Sequence, residues 1–228
     1  MKSKMEEKTN ESRAEKFMYK DPKEVFTEVF TINDWSSTES HSGMGSTLQF
    51  TPNIRKQLPL LWKAYGIKKV LDIGCGDFNW MKEIVGSLDY YKGTDIVEAI
   101  TNLNIERYEI KGNVEFETCN IIKDCNFKAE DFDAIILKDV LVHFPTDVAN
   151  SVIGKLKSIG IKYIFITHFK DIEENTDLGA FGQWRPLNMS IQPFDLGNPL
   201  QIISEEVEEY VWGDKKNKDK TLSLWKIK

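Results

Sequence analysis

The chain has 228 residues, 41% of them hydrophobic and 29% charged, which suits one α/β domain with additions and a substantial buried core. Thirty Lys and Arg against 36 Asp and Glu give a formal charge of −6, which argues against a basic nucleic-acid footprint. No apolar run approaches the ~20 residues that cross a bilayer. The charged start MKSKMEEK lacks the apolar stretch of a signal peptide, so the expectation is a cytoplasmic protein with no membrane partner.

In chain order, residues 1–34 read as a polar, partly helical arm, and 35–228 as a single domain. The stretch from Trp35 to Thr51 is rich in Ser, Thr and Gly and predicts a loop. Ile54, Leu58, Leu61, Trp62 and Tyr65 recur at helical spacing and predict a helix over 52–65. A β/α alternation follows: strand 69–73, a tight turn at 74–77, helix 78–88, strand 90–95, helix 97–108, strand 114–120, strand 132–138, helix 147–158 and strand 163–168. Strands separated by helical patterns predict parallel crossovers and a doubly wound, Rossmann-like sheet. Residues 170–199 read as a long loop. The stretches 200–207 and 222–227 read as a closing antiparallel pair on that sheet. Cys75, Cys119 and Cys125 form no CxxC pair and predict reduced thiols, with neither a disulfide framework nor a metal site.

The strongest local signal is VLDIGCGDFNW at 70–80, followed by YKGTDI at 91–96. Gly74 and Gly76 let the chain turn tightly and let a ligand approach the backbone. Asp95, at the end of the next strand, stands where a ribose-hydroxyl acceptor belongs in a nucleotide site. A dinucleotide fingerprint wants GxGxxG, and Asn79 occupies the third glycine position. Asp72 and Asp77 flank the turn and would repel a pyrophosphate, whereas S-adenosylmethionine (SAM) has no phosphate and brings an ammonium and a sulfonium. The charges therefore favour SAM over NAD or NADP. Asp77 also fits the plainer role of a helix N-cap.

These residues resemble the class I SAM-dependent methyltransferases. SGMGS at 42–46, CGDFNWM at 75–81 and WRPLN at 184–188 resemble a bacterial group linked to surface and capsular polysaccharides, including O-methyl phosphoramidate methylation. The resemblance implies that SAM is the cofactor and S-adenosylhomocysteine (SAH) its product. It implies Gly74, Gly76 and Asp77 at the amino-acid end, Asp72 near the ammonium, and Asp95 on the ribose. Ile96, Asn120 and Ile121 would lie at the adenine, Asn120 being equally suited to capping its loop. The segment with Ser42, Gly43 and Ser46 would form a lid over SAM, together with Trp35. Phe78 departs from a fuller GxGxG pattern and would reshape the methionine end of the pocket.

Methyl transfer from a sulfonium needs alignment and, for a poor nucleophile, removal of a proton. Candidates stand at the ends of the fourth and fifth strands: Lys138, Asp139 and His143 in LKDVLVHF, and His168 in ITHF. His143 is the first choice as base because an imidazole titrates near neutrality, though it also fits the start of the next helix. Asp139 fits a base, an orienting group or a turn. Lys138, Arg185 and His168 would form a cationic set suited to a phosphate-bearing acceptor, with Lys138 also near the cofactor. Arg185 fits an ordinary ion pair equally well. Trp184, Arg185 and Asn188, in the loop 170–199, with Trp35, are the candidate acceptor contacts. The reading is a metal-independent methyltransferase acting on a small sugar- or phosphate-containing molecule. A nicotinamide oxidoreductase and a non-catalytic nucleotide-binding scaffold are the alternatives.

Overall fold

The computed structural model describes residues 12–110, 112–124, 126–206 and 219–227. The first eleven residues of the arm, Val207 and Cys125 lie outside them. Five strands run parallel: β1 (Lys69–Ile73), β2 (Tyr90–Asp95), β3 (Val114–Thr118), β4 (Ala134–Leu137) and β5 (Tyr163–Phe169). Two more, β6 (Gln201–Ser204) and β7 (Lys220–Lys226), extend the sheet in the order β3-β2-β1-β4-β5-β7-β6, with β7 antiparallel to both neighbours. This is the Rossmann-like α/β sheet with the antiparallel closing pair expected from the sequence. β1, β4 and β5 carry the Val, Ile and Leu that a sheet covered on both faces requires.

Side-chain alternation along the strands sorts the core into two layers. Leu71, Ile73, Ile135, Leu137, Ile164 and Ile166 share one buried cluster with Val152 and Leu156 of α4 (Thr146–Ile159). Val70, Ala134, Ile136, Tyr163 and Phe165 share the other with Ile54, Leu58 and Trp62 of α2 (Pro52–Tyr65). Both helices end on a glycine in the left-handed conformation, Gly66 after α2 and Gly160 after α4. In the arm, α1 (Pro22–Thr31) is capped by Asp21, whose side chain accepts from the Lys23 amide at 2.9 Å, and Pro22 opens it. Val25 and Val29 of α1 pack on Phe17 and Ala180, which fixes the arm on the domain. After β2, α3 (Glu98–Tyr108) begins one residue later than the sequence predicts.

The helix predicted over 78–88 does not form. Two short 3-10 turns, Met81–Glu83 and Val85–Ser87, stand in its place. Gly76 and Phe78 adopt positive φ angles of 55° and 61°, so the chain cannot enter a right-handed helix before residue 79, and Gly86 weakens what remains. The apolar residues still face inward. Phe78 itself points into the core against Tyr91, Tyr108 and Phe116, with ring centroids 5.0–5.4 Å apart. It is absent from the cavity wall, so the expected reshaping of the methionine end does not come from its side chain.

Candidate active site

The sheet order reverses between β1 and β4, and a crevice opens beyond their carboxyl ends, where ligands bind in open α/β sheets. The crevice is a cavity with about 1000 Å³ of empty space, mouth included. Its wall contains Asp72, Gly74, Gly76, Asp95, Ile96, Asn120, Ile121, Lys138, Asp139, His143, Ser42, Ser46 and Trp35 of the residues singled out from sequence. Asp77, Gly43, His168, Trp184, Arg185 and Asn188 lie outside that wall.

The half of the cavity at the glycine turn is backbone as much as side chain. The amides of Gly74 and Cys75 donate to the Thr94 carbonyl at 2.7 and 3.0 Å, tying the β1 turn to the end of β2. Asp95 accepts from the Gly76 amide at 3.1 Å and the Val97 amide at 2.9 Å. A Cβ on Gly76 would collide with the Ser42 hydroxyl, and one on Gly74 with Val140, so neither position admits a side chain. Asp72 accepts from the buried Tyr91 hydroxyl at 2.8 Å. Burial pushes Asp72 up to about 7, against the Tyr91 hydrogen bond and helped by the nearby charge of Asp95. Asp95 is raised as well, by burial, with the backbone amides opposing.

Asp77 is not a helix cap. Its carboxylate accepts from the Ser40 hydroxyl at 3.0 Å and the His41 amide at 2.9 Å, and its amide donates to the Ser42 hydroxyl at 2.9 Å. Asn79 donates to Glu39 at 2.6 Å and to the Ser46 carbonyl at 3.1 Å. These bonds strap residues 39–46 onto the glycine turn. Ser42 and Ser46 therefore reach the cavity, while Gly43, at φ 87°, packs against Trp35.

At the end of β4 two lysines and two acids form a closed set. Lys138 Nζ contacts Asp139 at 2.6 Å, Glu205 at 3.3 Å and the Gly45 carbonyl at 2.9 Å. An ammonium has three N–H bonds, and all three have partners here. Lys220 contacts Asp139 at 2.8 Å and Glu205 at 3.1 Å. Burial alone would push the Asp139 carboxyl up, but the charges and hydrogen bonds of both lysines outweigh it and hold it far below the usual range. A carboxylate held so firmly ionised is a poor base, so Asp139 anchors rather than abstracts.

His143 differs. Its Nδ1 lies 2.8 Å from the Gln183 carbonyl, which can only accept, so Nδ1 carries the proton and the neutral ring keeps a lone pair on Nε2. Burial lowers its pKa to about 4, with the Gln183 bond opposing. Its ring lies 5.3 Å from Trp35 at 31°.

The expected cationic set does not assemble. Arg185 is buried and turned into the protein, donating to the carbonyls of Thr176 and Leu141 at 2.8 and 3.0 Å and to the Thr146 hydroxyl at 3.2 Å. Together with the bonds of the Arg185 amide to the Val142 carbonyl and of Gly182 to that of His143, it clamps the segment carrying His143. His168 alternates with Thr167 along β5 and faces the other way, accepting from the Met189 amide and packing on Trp225. Trp184 packs on Phe169, and Asn188 organises its own loop through Asn175, Lys170 and Ile172. Cys119 is disulfide-bonded, against the reduced thiols expected, because spacing along the chain does not show which sulfurs meet. Cys75 is buried and free.

Sequence reasoning missed Phe26 and Phe30, which α1 brings to the cavity, and Phe144 and Trp80. The pair 26 and 30, four apart in an otherwise polar arm, marks one helical face and was a readable signal.

Residues 70–159 match the family model for a methyltransferase domain. Over those residues the chain carries a methyltransferase domain. Solved structures with this fold include the magnesium protoporphyrin IX methyltransferase of Synechocystis PCC 6803 with bound SAM. It is 17% identical over 90% of this chain and 97% of that one, with a TM-score of 0.60. The N-methyltransferase NodS of Bradyrhizobium japonicum WM9, in complex with SAH, is 10% identical over 88% and 97%, at 0.62. The 1,6-didemethyltoxoflavin-N1-methyltransferase of Burkholderia thailandensis is 14% identical over 90% and 86%, at 0.61. No curated protein sequence matches the chain. The residues of the cavity fit SAM: the buried Asp72, the half-buried Asp95, a side-chain-free turn and no cation outside an ion pair in the described wall.

Proposed function

We propose that this methyltransferase methylates a small-molecule acceptor with His143 as the general base. SAM supplies a methyl group on a sulfonium, an already activated leaving arrangement. Asp72 attracts the ammonium, Asp95 accepts from the ribose hydroxyls, and the bare backbone at Gly74 and Gly76 allows close approach. Ile96, Asn120 and Ile121 line the adenine. The strap 39–46 keeps water from the site. His143 Nε2 receives the acceptor's proton. The carrying observation is a neutral imidazole, oriented by the Gln183 carbonyl, in the same wall as Asp72, Gly74, Gly76 and Asp95.

The sugar- or phosphate-containing capsular acceptor implied by the resemblance has less support, because its phosphate would need cations. Lys138 is fully engaged, Arg185 is turned inward, and His168 is on the other face. The dinucleotide alternative would have to place a pyrophosphate beside two acids.

Thermal unfolding with SAM, SAH, NAD and NADP tests the donor: a rise with the adenosyl compounds alone, lost in Asp95→Ala, is expected. A rise with NAD alone would overturn the reading. His143→Ala is expected to lower turnover about 10²- to 10⁴-fold while SAH still binds. Unchanged turnover would remove His143 from the chemistry.

A further inference from the structure

The assignments above leave one part of the cavity wall over: Phe26, Phe30, Trp35, His143 and Phe144, with Val140 between them. On the methyltransferase reading, this is the acceptor's side. Four of its rings form a connected set. Trp35 and His143 lie 5.3 Å apart, tilted by 31°, Phe26 meets His143 edge-on at 6.5 Å, and Phe26 lies 5.9 Å from Phe144.

The charges of this wall are cancelled. Its one cationic side chain among the described residues, Lys138, has each N–H bond taken by Asp139, Glu205 or Gly45. Asp139 is held by two lysines. A phosphate brought here would lose its water with no unpaired cation among the described residues to replace it, and a bound ammonium would find Asp139 already paired. A sugar would bring several hydroxyls, whereas the wall offers few hydroxyl groups, and the Ser42 oxygen already receives the Asp77 amide.

Two polar groups are left for a ligand. Trp35 Nε1 is buried and has no hydrogen-bond partner, although a buried indole N–H usually finds one. His143 presents an unprotonated Nε2, by the tautomer that Gln183 imposes. One group donates and one accepts, and both belong to neighbouring rings 5.3 Å apart.

We infer that the acceptor of this enzyme is an uncharged planar aromatic or heteroaromatic molecule whose methylated hydroxyl donates to His143 and accepts from Trp35, or whose methylated ring N–H faces His143 while a second polar atom accepts from Trp35. The flat ring stacks among Phe26, Trp35 and His143, the hydroxyl or N–H donates to Nε2, and no charge enters the pocket.

The test is calorimetric binding to the full chain, with and without SAH, of 2-naphthol, decahydro-2-naphthol, 2-naphthyl phosphate and methyl α-glucoside. With SAH bound, 2-naphthol is expected to bind at least about tenfold more tightly than the other three. Trp35→Phe, which keeps a ring and loses the N–H, is expected to weaken 2-naphthol about fivefold, and Trp35→Ala about thirtyfold. If Trp35→Ala does not fold by far-UV circular dichroism, Trp35→Phe carries the test. Equal or tighter binding of the phosphate, the glucoside or the saturated alcohol overturns the inference, as does 2-naphthol binding that ignores Trp35. SAH that fails to bind overturns the methyltransferase reading beneath it, a separate signal in the same titration.

Discussion

Asp72 and Asp139 are both sequestered at the ends of neighbouring strands and both line one cavity, yet their charges are governed in opposite ways. Asp72 has burial, a tyrosine hydroxyl and another acid around it, with only a weaker opposing pull from the charge of Lys138, and its carboxyl is pushed up to about 7. Asp139 has two ammonium groups on it, and burial loses to them. The first environment is incomplete without a cation from outside. The second is complete already. Among the described residues, one cavity thus has a half that is short of positive charge and a half that is neutral, which suits a cationic donor beside the uncharged acceptor we propose.

The sharpest way to break the comparison is to remove Asp139. Asp139→Ala leaves the buried Lys138 and the half-buried Lys220 sharing Glu205, and stability is expected to fall by about 3–5 kcal/mol in urea unfolding. A loss under about 1 kcal/mol would mean that solvent reaches the cluster and its charges are not closed. Removing Asp95 acts on the other half: Asp95→Ala is expected to weaken SAH about 100-fold, near 2.7 kcal/mol, by calorimetry. The smallest effect is a pH dependence. The unliganded protein keeps Asp72 protonated below about 7, and an ammonium favours the carboxylate, so binding expels a proton there. SAH affinity is expected to rise by up to about tenfold per pH unit as pH climbs toward 7 and to level off above it. Asp72→Asn should flatten that slope, and a slope that survives would move the ammonium elsewhere.

The cofactor half was legible because one short stretch builds it. Gly74, Gly76 and Asp95 each have a local backbone reason to be what they are, and the β/α rhythm places them together. The other half was legible only in part. His143 and Trp35 were found as chemically capable residues, but Phe26 and Phe30 arrive from an arm that reads as polar. Lys138, Arg185 and His168 share a sign, and sequence cannot tell which face of a strand or which carbonyl each will meet. Arg185 shows the limit: the residue type best suited to a phosphate is spent on the carbonyls of Leu141 and Thr176. The helix expected over 78–88 failed for a similar reason, since its periodicity was real but the positive φ at Phe78 had no sequence sign other than its place after two glycines.

The strap over 39–46 has a kinetic meaning. Six hydrogen bonds, to Asp77, Asn79 and Lys138, hold it against the turn that carries the donor. On the proposed reading, a spent cofactor leaving past Ser42 and Ser46 would wait for several of those bonds to open together, and product residence is expected to follow the strap more than the strength of its own contacts.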